Sequence, residues 1–109
     1  MRTARDHNKK HCDFIRSLPC LLCKNNTATE CAHIRMADPR IAKPITGIGI
    51  RPDDKFTLPL CSSCHRKQHH GGERKFWEVT GIDPLLVALA LYSVSGDIEE
   101  AERIIYAQG

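Results

Sequence analysis

This chain has no run of apolar residues near the roughly 20 needed to cross a bilayer. Its first ten residues, Met1 to Lys10, are polar and charged, without the apolar centre of a secretory signal. There is no internal repeat and no low-complexity tract, which sets aside solenoid and linker-like architectures. Aromatic residues are scarce, at 6%, and the formal net charge is only +3, a mildly basic balance that permits nucleic-acid binding without demonstrating it. What is present is a chain of 109 residues with 41% hydrophobic and 27% charged residues, ordinary values for one small folded domain. A domain of this size buries a modest core and often leans on a metal or on disulfides. The absence of a signal points to the cytoplasm, where thiols stay reduced, so its six cysteines point to metal before disulfides.

The order of local signals suggests an α+β chain. Residues 1–16 read as a charged leader and residues 17–109 as the domain proper, with a helical C-terminal extension. Arg2 to Lys10 reads as a frayed helix or a flexible arm, and Cys12 to Leu18 as a short helix or extended segment stopped by Pro19. Thr29 to Ile34 and Phe56 to Leu60 read as short strands. Between them, Asp38 to Asp54 holds three prolines and two glycines and reads as a long loop. Cys61 to His70 reads as a helix ended by Gly71-Gly72, and Glu73 to Val79 as a further helical piece. Asp83-Pro84 is a cap followed by a proline at the first helical position, opening an apolar helix over Leu85 to Val94. After the break at Ser95-Gly96, Asp97 with Glu100 three residues on resembles a capping box opening a last helix to about Ala107.

The strongest chemical signal is the pair Cys20-x-x-Cys23 and Cys61-x-x-Cys64. Each turn of this kind places two sulfurs on one side of an ion, and two turns complete the tetrahedral shell that Zn2+ prefers. The competing reading is four ordinary buried thiols or two disulfides. Cys12 and Cys31 are left over and read as buried thiols, with a minor ligand role open for Cys31.

Three of the six histidines fall where chemistry could use them. On a helix over Cys61 to His70, His65 and His69 are four apart and share one face, a spacing that suits two imidazoles on one metal ion. The plainer alternative is two exposed polar residues. His33, in Cys31-Ala-His-Ile34, ends the first strand and lies opposite that helix in a strand, loop, strand, helix order.

Ala32-His33-Ile34 followed by Leu60-Cys-x-x-Cys-His65-x-x-x-His69, behind an upstream C-x-x-C, resembles the HNH (ββα-metal) endonuclease superfamily. Asp53-Asp-Lys-Phe-Thr-Leu-Pro-Leu-Cys61, Phe76-Trp77 and Gly81-Ile-Asp-Pro84 are similar to its phage and prophage branch, which includes recombination-enhancement nucleases. The resemblance spans roughly residues 17 to 95. It implies a small zinc-stabilised ββα-metal core that hydrolyses DNA with low sequence specificity, encoded by a phage or prophage and working in the cytoplasm of a bacterial or phage-infected host. It further implies His33 as the general base, His65 and His69 as ligands of a divalent catalytic metal (Mg2+ or Mn2+, with Zn2+ a further option), and the four cysteines around a structural Zn2+. A homodimer and a phage recombination or packaging partner are also within what the family implies.

Two positions depart from the family pattern. Ala32 stands where a metal-binding Asp or His is common, and the middle Asn of the motif is missing. Asp54, in the corresponding region, could orient His33 or contribute to the metal, or could merely shape the turn after Pro52. Arg35, Arg51, Arg66 and Lys67, with Arg40 and Lys43 in the same long loop, would hold DNA through phosphates, as against forming an ordinary solvated surface. The departures define the alternative, a catalytically inactive zinc-stabilised DNA-binding module. A protein-interaction domain presenting Leu85 to Tyr92 is a third reading, though that stretch suits the core of so small a domain.

Overall fold

The computed structural model describes residues 8–41, 43, 45 and 53–108. Helix α1 spans Lys9–Arg16, strand β1 Thr29–His33, strand β2 Thr57–Cys61, and helices α2 to α5 span Ser62–His69, Glu73–Thr80, Pro84–Ser93 and Ile98–Ala107. The chain is thus α+β, with a two-stranded antiparallel sheet in which Thr29 faces Cys61 and His33 faces Thr57. No single helix among the described residues is long and apolar enough to cross a membrane.

Two strands alone are marginal in water. Here Thr57, Leu58, Pro59 and Leu60 of β2 are all buried, because α1, α2 and α4 all pack on the pair. Side chains alternate across a strand. Cys31 and His33 therefore share the face that meets Cys12 of α1, while Glu30 and Ala32 share the face that meets α2. Ile15, Leu18, Leu21, Ile34, Leu58, Leu60, Trp77, Leu85, Leu91 and Ile105 fill the core. Gln68, buried within α2, accepts a hydrogen bond from the Trp77 indole at 3.2 Å and reaches the His33 carbonyl at 3.5 Å. One buried amide thus ties α3, α2 and the end of β1 together.

The helix caps follow the expected chemistry. Asp83 accepts from the Leu86 amide at 3.2 Å with Pro84 at the first helical position, and Asp97 accepts from the Glu100 amide at 3.1 Å. The reciprocal arm of a capping box is replaced, since the Glu100 side chain pairs with Arg103.

The expected leader needs correction. Residues 9–16 form a helix whose His11, Cys12, Phe14 and Ile15 are buried, so the domain begins at or before Lys9 rather than at residue 17. Asn8 caps it, accepting from the His11 amide at 3.0 Å. The charges that suggested a free segment sit on the other face, where Asp13 binds both Lys9 and Arg16 at 2.9 Å. Ile15→Ala should cost about 2–5 kcal/mol, the usual loss for a buried aliphatic side chain. Urea melts measure it, and a change below about 0.5 kcal/mol, the range of surface substitutions, would restore the loose-leader picture.

The long loop is also not featureless in its described part. Pro39–Ile41 form a 3-10 turn, and Asp38 pairs with Lys43 through a single antiparallel bridge.

Candidate metal and catalytic centre

The four predicted zinc ligands converge. The sulfurs of Cys20, Cys23, Cys61 and Cys64 all lie within 4.8 Å of one another, and none of the described cysteines is in a disulfide. The Cys23 and Cys61 sulfurs are 3.7 Å apart. A tetrahedral ion with Zn–S bonds near 2.3 Å has sulfur–sulfur edges of about 3.8 Å, so the donor set fits zinc in both chemistry and spacing. The upstream knuckle closes because Lys24, at φ 65°, takes the left-handed conformation and donates its amide to the Cys20 carbonyl at 2.9 Å. The Leu21 amide then docks it on the Pro59 carbonyl of β2 at 2.8 Å.

The downstream knuckle is the start of α2. Cys61 is its N-cap, and its sulfur accepts from the Cys64 amide at 3.5 Å. That amide is the largest influence on the Cys61 thiol, which is lowered to about 7. A helix N-terminus favours a thiolate, and a thiolate is what a metal binds.

His33 lies beside Asp54. Its Nε2 is 2.7 Å from Asp54 Oδ1, with the carboxylate fully buried and the imidazole a quarter exposed. The other carboxylate oxygen accepts from the Asn8 amide at 2.6 Å, and the Thr57 hydroxyl donates to the Asp54 carbonyl at 2.8 Å. Burial pushes the Asp54 carboxyl up, but hydrogen bonds from His33, the Asn8 amide and the Cys12 thiol outweigh it and hold it below the ordinary value. An ionised carboxylate only accepts hydrogen bonds. His33 therefore carries its proton on Nε2, which leaves the Nδ1 lone pair available when the ring is neutral. Of the two roles open to Asp54 in the sequence, this geometry is that of a group that orients His33.

On the opposite face, His65 and His69 come together as expected, with ring centroids 4.9 Å apart. His65 Nδ1 is also 2.7 Å from Glu30 Oε1. The carboxylate accepts, so Nδ1 carries the hydrogen and Nε2 keeps its lone pair, the arrangement in which a second carboxylate fixes a metal-binding imidazole. Sequence reading missed Glu30. Period-2 alternation puts it on the same strand face as Ala32, but its pairing with His65 depends on how α2 packs on the sheet. Among the described residues, Glu30, His65 and His69 do not draw together as tightly as the cysteine clusters do, and His33 groups instead with Cys12 and Cys31.

The basic residues divide. Arg66 and Lys67 are exposed on α2. Arg35 follows β1, where its amide and that of Met36 bind the Glu73 carboxylate at 3.1 and 2.7 Å. Arg51 lies outside the described residues. The two further loop residues, Arg40 and Lys43, already have partners within the chain. Arg40 is held between Asp38 and, at 2.8 Å, Asp83. Lys43 is buried, with its ammonium 5.3 Å from the centre of the Phe56 ring.

No curated protein and no solved structure matches the chain. A family described as "Protein of unknown function (DUF968)" matches residues 2–94, most of the 109-residue length, and the chain belongs to that family.

Proposed function

We propose that this chain is a metal-dependent endonuclease of the HNH type that hydrolyses DNA phosphodiester bonds, with His33 as general base. The observation that carries the reading is the His33–Asp54 pair at 2.7 Å, in which a buried carboxylate orients a partly exposed imidazole at the end of β1. It sits on a strand, strand, helix unit whose helix carries His65 and His69.

In the proposed reaction, His33 Nδ1 takes a proton from a water molecule as the water oxygen bonds to phosphorus. The phosphorus–oxygen ester bond breaks, and the departing alkoxide takes a proton from solvent. Asp54 favours the imidazolium that forms. His65 and His69 are the residues that would hold a divalent cation, with Glu30 fixing the His65 ring. A divalent cation such as Mg2+ or Mn2+ held there would offset the negative charge that builds on phosphate and on the leaving oxygen. Arg66, Lys67 and Arg35 contribute phosphate contacts that carry no sequence information.

The test is incubation of the purified chain with supercoiled plasmid in Mg2+, Mn2+ or chelator. Nicking or linearisation only with added metal is expected, and absence of cutting under every metal condition with retained gel-shift binding would replace this reading with the inactive binding module. A finer expectation concerns Glu30. Loss of the carboxylate in Glu30→Gln should raise the Mg2+ concentration for half-maximal cutting by about 10- to 100-fold, the usual cost of removing such a partner. The rate at saturating metal should fall far less. An unchanged metal requirement would remove Glu30 from the site.

A further inference from the structure

We propose that Cys12, Cys31 and His33 form a second soft-metal site, distinct from the four-cysteine centre, that takes Zn2+ or a cation of similar softness. The ligand atoms of these three residues lie within 4.8 Å of one another, with both cysteines buried and the imidazole partly exposed. Two sulfurs and one imidazole nitrogen are a donor set suited to zinc, which commonly completes its shell with a carboxylate or water. Asp54 is placed to supply that completion or to orient the histidine, since it contacts His33 at 2.7 Å and is in hydrogen-bond contact with the Cys12 thiol. The Thr57 hydroxyl and the Cys12 thiol both contact Cys31, so the pocket around the sulfurs is polar rather than a plain apolar core. The quarter-exposed His33 ring is the way in from solvent.

Such an ion would join α1 to β1 across the face opposite α2. Coordination through either ring nitrogen would leave the neutral His33 imidazole without a free lone pair, so the loaded site would switch hydrolysis off. That consequence rests on the nuclease reading, whereas the site itself does not.

The experiment counts zinc in the full chain. Reduced protein carrying its four-cysteine zinc is titrated with Zn2+, desalted and measured by inductively coupled plasma mass spectrometry. In the His65→Ala/His69→Ala chain, which lacks the proposed catalytic-metal ligands, two ions per chain are expected, and one once Cys12→Ser/Cys31→Ser is added. A wild type that saturates at one ion overturns the proposal. So does a second ion that survives loss of Cys12 and Cys31 in that chain, or one that disappears with His65 and His69.

Should the double-serine chain fail to fold, Cd2+ titration of metal-stripped wild type decides. The sulfur-to-cadmium absorbance of the first ion should grow by about half when the second binds, because six thiolates rather than four are then engaged; no second rise overturns the proposal. These readouts need no nuclease activity. Two ions in a chain that cuts no DNA would sink only the nuclease reading, and one ion in a chain that cuts would sink only this one.

Discussion

Removing zinc from the four-cysteine centre is expected to unfold the chain. Structural zinc contributes about 10–16 kcal/mol of apparent binding energy in small metal-dependent domains, whereas a domain of ordinary stability holds about 5–15 kcal/mol in all. The ion would also tie together two parts of the chain that lie far apart in sequence. Cys20 and Cys23 belong to the knuckle between α1 and β1, and Cys61 and Cys64 to the junction of β2 and α2. Circular dichroism during chelation should show a cooperative loss of helix, reversed by added Zn2+, and Cys64→Ser should behave like the stripped protein. An unchanged melt after verified zinc loss would mean that the cysteines are ordinary core thiols. Acid should act in the same direction. Protons then compete with zinc for the same sulfurs.

The second large effect is on rate. His33→Ala should lower single-turnover cleavage by about 10²–10⁴-fold, the usual contribution of a positioned general base. Asp54→Asn should cost on the order of 10²-fold. An amide oxygen can still accept from Nε2, but the negative charge that favours the imidazolium is gone. Since Asp54 also receives the Asn8 amide at 2.6 Å, this variant should lose some stability, and rates should be compared well below its melting temperature. Both variants should keep the four-cysteine zinc. Equal rates for wild type and Asp54→Asn would reduce Asp54 to a brace for α1.

The features legible in the sequence are those set by local chemistry. C-x-x-C turns, Asp83-Pro84 and the Asp97 cap each depend on a few adjacent residues, and the structure places all of them as expected. The i, i+4 pair His65 and His69 is legible for the same reason. What escaped depends on partners far along the chain. The buried face of α1 is hidden in sequence because Lys9, Lys10, Asp13 and Arg16 alternate with Cys12, Phe14 and Ile15, and only packing on the sheet separates the two sets. Glu30 acquires meaning only once α2 brings His65 against it, 35 residues later in the chain. Cys12 and Cys31 look like leftover core thiols until β1 carries His33 to the same side. The burial of Lys43 beside Phe56 and the pairing of Arg40 with Asp83 are likewise set only by the fold.

The most direct test of the central claim is the single-turnover rate of supercoiled plasmid cleavage in Mg2+, wild type against His33→Ala, with zinc content and helical content matched. Metal-dependent cutting by the wild type and a loss of at least about 10²-fold in the variant is the predicted result. Equal cutting by the two proteins, or none by either at any concentration of Mg2+ or Mn2+, would contradict it.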